Sequence, residues 1–231
     1  MLKLFWCNKK FNRINGGIEL DKKEKKVPEV VIRRMPRYYR YLKELSNNGQ
    51  LRISSSALAK KMGVTASQIR QDFSYFGGFG QQGYGYNISY VTEEIENFFG
   101  VVSDFKAIIV GAGNLGHALA NYQGIINRRV SILAMFDVSK DKIGKNISQI
   151  PIYSMDEMDA FVKENNIDIA ILTLPKDNVI GVFNRLKDCG IKGFWNFTAM
   201  ELETEDSVPV ENVHLTDSLM TLAYKINNQT D

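Results

Sequence analysis

Lys106-Ala-Ile-Ile-Val-Gly-Ala-Gly-Asn-Leu-Gly116 is the stretch whose reading decides the fold. The β-branched run Ile108–Val110 ends abruptly in glycines and passes straight into a helical pattern, Leu115–Ala120. Gly111, Gly113 and Gly116 fall in the spacing G-x-G-x-x-G. The first glycine makes a tight turn, the second lets a pyrophosphate approach the backbone, and the third lets the helix pack closely on its strand. The helix N-terminus then offers free N–H groups to an anion. A second buried-strand pattern, Val130–Phe136, ends in Asp137, about 20 residues past the last glycine, where a ribose-binding carboxylate belongs. An ordinary glycine-rich turn, with Asp137 opening a surface loop, is the competing reading. Strand, glycines, helix, strand and acid all occur in order, which favours a dinucleotide site. Its expected residues are Gly111, Ala112, Gly113, Asn114, Leu115, Gly116 and Asp137.

The rest of the composition narrows the class. Hydrophobic content of 44% and charged content of 24% suit a soluble globular protein of one large or two modest domains. The longest uncharged stretch, Ala107–Asn127, has the length of a membrane span but is broken by Asn114, His117, Asn121 and Gln123 and holds four glycines. Leu4–Cys7 is too short for a signal-peptide core, so a cytoplasmic protein is expected. Cys7 and Cys189 form no C-x-x-C, and no Cys/His cluster suggests a metal. Charge is uneven: Met1–Tyr86 carries 17 Lys+Arg against 6 Asp+Glu, and the remainder 12 against 20. A basic N-terminal third suits nucleic acid or an anionic membrane surface.

Residues 1–26 lack periodicity and are read as a disordered extension. Ile32, Met35, Tyr39, Leu42 and Leu45 then keep helical spacing up to Asn48-Gly49, with Pro36 predicting a kink or a fresh start. Ser54-Ser55-Ser56 offers caps for a short helix ending at Gly63, and Thr65 with Gln68 forms a capping box for a third helix through about Phe76. This is a helix-turn-helix signature. Ile69, Phe73 and Phe76 share one face; Ser67, Arg70, Gln71 and Ser74 share the other, where Arg can read guanine and Gln adenine. An ordinary solvated face is the bland alternative. Gly77–Tyr86, with glycines and aromatics interleaved, reads as a β-hairpin wing. The expected DNA contacts are Ser54, Ser55, Ser67, Gln68, Arg70, Gln71, Ser74, Tyr75, Gln82 and Tyr84.

A helix over Val91–Phe99 leads to the second half, where Ser154 and Glu157 form a capping box for a helix to Asn165. Strand Ile167–Leu174, helix Asp177–Asp188, strands Gly193–Phe197 and Val213–Thr216, and helix Asp217–Asn227 follow. The fold class is α/β: an N-terminal winged helix-turn-helix over 27–100 and a Rossmann-like doubly wound parallel sheet over 101–215, with a terminal helix over 216–231.

Ile69-Arg70-Gln71-Asp72-Phe73-Ser74-Tyr75-Phe76-Gly77, the wing ending Gly83-Tyr84-Gly85-Tyr86, the glycine loop, Phe136-Asp137-Val138 and Gly190-Ile191-Lys192-Gly193 before Asn196-Phe197 together resemble the Rex family of bacterial redox-sensing repressors. The resemblance runs from about Val27 to Asn227. It implies a homodimer whose last helix is swapped between subunits. It also implies a Rossmann domain that senses NAD(H), and release from an inverted-repeat operator by NADH. It places Tyr122 near the nicotinamide; Thr173 and Pro175, beyond a strand's carboxyl end, are the other candidates for sensing that ring. The sequence departs from the family at Gln71 and Gln82, where Lys or Arg is usual, and at Asn114 and His214, where some members have Arg and Asp. Loss of two positive charges implies altered phosphate affinity or base preference.

Two other functions compete. An NAD-dependent dehydrogenase needs an acid–base group beside the nicotinamide, and only His117 and His214 exist; Tyr39–Lys43 has the Tyr-x-x-x-Lys spacing, but upstream of the glycine loop. A regulator binding another nucleotide, such as coenzyme A, is the second; Asp137 opposes it by favouring a free ribose diol, while Lys140 and Lys142 weaken that preference. The expectation is therefore a regulator and not an enzyme.

Overall fold

The computed structural model describes residues 27–76, 80–81, 84–99, 104–122, 130–204 and 208–228, so the expected extension over 1–26 and Gln82 of the wing lie outside the described residues. The chain divides into two compact units, with the division between Val102 and Ser103.

In the first unit, α1 (Glu29–Asn47) is one helix that runs through Pro36. Proline removes one N–H from the ladder, but Val31 and Met35 before it and Tyr38 and Leu42 after it are all buried in one core, and this packing carries the helix past the defect. β1 (Arg52–Ile53), α2 (Ser55–Met62) and α3 (Ala66–Ser74) follow. Gly63 joins the two short helices in a left-handed conformation, φ 68°. β2 (Gly80–Gln81) and β3 (Gly85–Asn87) pair antiparallel, with β1 on the other side of β3. The wing is thus a hairpin against a strand that was not anticipated, β1, two residues being too short for a periodic signal. Asn87 Oδ1 accepts from Tyr90 N–H at 3.1 Å and caps α4 (Ile88–Phe98), which starts three residues earlier than expected. Phe73 sits edge-on to both Tyr38 (5.5 Å) and Tyr86 (4.9 Å), so one ring ties α3 to α1 and to the wing.

The second unit contains β4 (Phe105–Val110), α5 (Asn114–Ala120), β5 (Val130–Asp137), β6 (Asn146–Ile147), β7 (Ile150–Ser154), α6 (Met158–Asn165), β8 (Ile169–Leu172), α7 (Val179–Asp188), β9 (Gly193–Asn196), β10 (Val210–Asn212) and α8 (Leu215–Asn227). The sheet order is β10-β9-β8-β4-β5-β7-β6, parallel throughout except where β6 turns back on β7. Ile108, Val110 and Phe136 face α6 and α7, while Ile109 and Met135 face α5, so the central strands are buried on both sides. Chain progression reverses between β4 and β8, which puts the topological switch point at the carboxyl end of β4, where the glycines lie.

Several boundaries move. Val213–Thr216 is not a strand: Asn212 ties its side chain to Asn196 and to Leu202, which ends β10, and α8 begins at Leu215. The Ser154 capping box is only half made. Glu157 Oε2 accepts from Ser154 N–H at 2.9 Å, but the Ser154 hydroxyl bonds Asp156, and α6 starts at Met158. Asp177 lies in a short 3-10 turn, Lys176–Asn178, before α7. The β6–β7 hairpin escaped notice because its turn, Ser148 and Gln149 at φ 48° and 73°, contains no glycine.

A Cβ at Gly116 would fall on the Gly111 carbonyl oxygen, inside van der Waals contact and against backbone that cannot step aside. Gly116→Ala is therefore expected to destabilise the protein by about 2 kcal/mol or more. Urea unfolding checks this; an unchanged midpoint would contradict the packing described.

Candidate nucleotide and nucleic-acid sites

The glycine turn is held from both flanking strands. Gly111 has φ +106°, and a Cβ there would lie 2.7 Å from the Thr173 carbonyl oxygen. The Thr173 hydroxyl donates to the Gly111 carbonyl at 2.8 Å. Gly113, by contrast, has nothing within 4 Å of where a Cβ would stand, and it begins α5 with no side chain capping the helix. The turn is closed underneath and open above. That is the shape a pyrophosphate needs.

Asp137 ends β5 beside this turn. Its Oδ2 accepts from Ala112 N–H at 2.7 Å and its Oδ1 from Ser139 N–H at 2.8 Å; Lys142 Nζ lies 3.1 Å from Oδ2. Burial pushes the carboxyl pKa up, but the bonds from Ser139, Lys142 and Ala112 outweigh it and hold the group below the usual carboxylate range. Asp137 is thus an ionised acceptor at the edge of the cleft. Of the residues expected at the nucleotide site, Gly111 through Gly116, Asp137 and Thr173 come together. Pro175 is exposed two residues beyond Thr173. Tyr122 is 60% exposed and follows the carboxyl end of α5, roughly 10 Å of helix from the glycine turn, so it is not brought to the others within one chain.

In the first unit Thr65 Oγ1 accepts from Gln68 N–H at 3.1 Å and starts α3. Gln68 does not complete the capping box. Its side-chain amide donates to Asp72 Oδ1 at 2.8 Å. Asp72 is fully buried on the Ile69/Phe73 face and is also gripped from α1, by Arg34 through two bonds of 2.8 Å and by the Tyr38 hydroxyl at 2.8 Å. Burial pushes the Asp72 carboxyl up; the bonds from Arg34, Tyr38 and Gln68 pull it further down, below the ordinary value. Burial and the Asp72 bond push the Tyr38 hydroxyl up. This cluster fixes the angle of α3 on α1. The signal for it was present in the sequence: an acid at i+3 from Ile69, on the apolar face.

The opposite face of α3 carries Ser67, Arg70, Gln71 and Ser74, all exposed. Arg70 Nη1 donates to Ser55 Oγ at 3.1 Å, bringing the start of α2 to the same surface. Ser54 Oγ accepts from Ala57 N–H as the cap of α2, Ser67 shares a bond with Thr65, and the Ser74 hydroxyl is spent on the Gln71 carbonyl. Tyr75 is half-buried against the core, whereas Tyr84 is 70% exposed in the wing and its carbonyl accepts from Arg52. His117 is exposed on α5, and His214 Nε2 meets Glu201 Oε2 at 3.3 Å. Among the described residues no group of three or more His, Cys, Asp or Glu is placed to hold a metal, and no helix is long and apolar enough to cross a membrane.

Residues 26–74 match a family described as "Putative DNA-binding protein N-terminus", and residues 102–200 one described as "CoA binding domain". A redox-sensing transcriptional repressor Rex from Caldicellulosiruptor saccharolyticus is 50% identical over 207 residues, covering 90% of this chain and 94% of that protein. The chain belongs to the Rex family of redox-sensing transcriptional repressors. Among solved structures it is similar to RSP, a Rex-family repressor. RSP in complex with β-NAD+ and operator DNA has a TM-score of 0.82 at 45% identity, covering 89% of this chain and 94% of that one. RSP with β-NADH has a TM-score of 0.83 at 42% identity, over 89% and 96%. Rex membership accounts for the helix-turn-helix and the Rossmann-like unit in one chain.

The Asp72 clamp makes a stability prediction with a definite sign. The folded pKa of Asp72 is depressed, so its contribution is present above the unfolded value of about 3.9 and is lost as pH falls through the folded value. Asp72→Ala, which strands Arg34 and Tyr38, is expected to cost about 3 kcal/mol at pH 7, the low end because Arg34 keeps solvent contact. In unfolding titrations this cost should shrink below about pH 4. A cost independent of pH would mean that packing, not the ionised carboxylate, holds α3.

Proposed function

We propose that this chain is a DNA-binding transcriptional repressor that reads the balance of NADH and NAD, bound as a homodimer to an inverted-repeat operator and released by NADH. The carrying observation is Asp137 held against the Ala112 N–H at the switch point, beside a glycine turn closed below and open above. The residues fit a dinucleotide: Gly113 and the start of α5 take the phosphates, and the free lone pairs of Asp137 take ribose hydroxyls. The same chain presents Arg70 and Gln71 on an exposed recognition face. That RSP, a relative in the same family, has been captured both with NADH and with NAD+ on operator DNA supports joining the two activities in one cycle.

NADH and NAD differ at the nicotinamide ring in charge and planarity, and a ligand shifts a conformational equilibrium only through differential affinity for its states. The sensing contacts are assigned to Tyr122, Thr173 and Pro175, with Tyr122 reaching the ring only in the assembled dimer. The dimer itself is supported by α8. Leu215, Leu219, Met220, Leu222, Tyr224 and Ile226 are each 52% to 71% exposed, far more apolar surface than one solvated helix keeps. A second copy covers it. A two-fold dimer holds two α3 helices at one separation, which must match half-sites about 34–36 Å apart or a multiple of that. DNA contacts are assigned to Ser54, Ser55, Ser67, Arg70, Gln71, Ser74, Tyr84 and Gln82, with Gln68 and Tyr75 acting behind them. No acid–base pair is assigned to the nicotinamide end, and the protein works in the cytoplasm as a regulator without turnover.

Anisotropy of labelled operator, titrated with each nucleotide, tests this reading: NADH should release the DNA at far lower concentration than NAD, and equal effects would reject redox sensing. Asp137→Ala should weaken NADH binding by about tenfold or more through loss of charge-assisted hydrogen bonds, without altering operator affinity of the nucleotide-free protein. Arg70→Ala should weaken operator binding by about 1–3 kcal/mol and relax preference at one position per half-site, with NADH affinity unchanged. A uniform loss on all sequences, with a shallower salt dependence, would move Arg70 to a phosphate.

A further inference from the structure

Lys142 is not needed to hold Asp137 in place, since two backbone N–H groups already do so. Its position is nonetheless closely defined. Ser139–Lys145 forms a compact turn in which the Lys142 and Ile143 N–H groups both donate to the Ser139 carbonyl, at 3.0 and 3.1 Å. The turn is fastened to β7 by Gly144 N–H to the Ile152 carbonyl and Ile152 N–H to the Lys145 carbonyl, each 2.9 Å. The lysine stem is thereby aimed back along the chain, and its ammonium reaches the carboxylate at 3.1 Å while remaining 38% exposed.

An unpaired carboxylate at this point accepts ribose hydroxyls and repels a phosphate on either of them, because a phosphomonoester brings about −1.5 to −2 charge at pH 7. Here the carboxylate is not unpaired. The Asp137–Lys142 pair is close to neutral, and the ammonium has two further N–H groups with solvent access to a group entering from outside. We propose that Lys142 lets this site accept an adenosine ribose that carries a phosphate, by cancelling the Asp137 charge and donating to the phosphate oxygens. The inference rests on Asp137 being the ribose carboxylate. Two ligands present this chemistry, NADPH with a 2′-phosphate and coenzyme A with a 3′-phosphate. Lys142 is then a specificity-determining residue: it narrows the preference for the unphosphorylated cofactor instead of contributing to its affinity.

Calorimetric titration of the full chain with NADH, NADPH and coenzyme A, before and after Lys142→Met, tests the proposal. Methionine keeps an apolar stem of similar length and removes only the ammonium. The native protein should bind at least one phosphorylated nucleotide, and Lys142→Met should lower that affinity by about tenfold or more while NADH changes by less than about threefold. Loss confined to NADPH assigns the 2′-phosphate; loss confined to coenzyme A assigns the 3′-phosphate. A native protein that binds NADH but neither phosphorylated nucleotide overturns the proposal, as does a parallel change in all affinities. Absence of NADH binding to the native protein would instead reject the dinucleotide site itself, a result read directly in the NADH arm.

Discussion

The turn from β4 into α5 has no spare volume, and the Rossmann-like unit is arranged around that constraint. Gly111 and Gly116 lie so close to each other and to Thr173 that neither tolerates a Cβ, so β4, the first turn of α5 and the end of β8 meet at one point. Because the backbone is pinned there, the Ala112 N–H faces outward to the end of β5 and fixes Asp137 at 2.7 Å. Anion cradle and ribose acceptor are consequences of one steric contact, and they stay in register because neither depends on a loop finding its own conformation.

The DNA-binding unit solves a similar positioning problem electrostatically. α3 is too short to orient itself by apolar contact alone, with Ile69 and Phe73 as its buried apolar anchors. Asp72 adds a buried charge that is satisfied only when Arg34, Tyr38 and Gln68 converge on it, which selects one orientation of the recognition face over others of similar packing. Leaving that carboxylate partly unpaired would cost more than the packing at any alternative angle recovers.

Much of this was legible in the sequence where local chemistry dictates the backbone. Gly111, Gly113 and Gly116 with Asp137 named the nucleotide site, since the spacing follows from sterics that act within a single β-α-β unit. Thr65 and Gly63 likewise marked the start of α3 and the end of α2. What could not be read depends on contacts distant in sequence. Arg34 looked like one more surface charge because its partner lies 38 residues away, and Gln68 looked like half of a capping box because nothing local reveals that Asp72 competes for its amide. Val213–Thr216 has strand-like composition, but Asn212 is tied to residues of β9 and the following loop, and the helix begins early. Tyr122 illustrates the same limit at the level of assembly: its position relative to the glycine turn acquires meaning only with a second chain.

The central claim is that one protein couples a nucleotide site to a DNA site, and coupling is reciprocal by thermodynamic necessity. The most direct test is the affinity of the protein for NADH measured twice, free in solution and with saturating operator DNA. The account requires operator to weaken NADH binding by the same factor by which NADH weakens operator binding, typically about 5- to 150-fold for a coupling of this kind. NADH affinity that is indifferent to operator would contradict it, and would leave two independent binding sites that happen to share a chain.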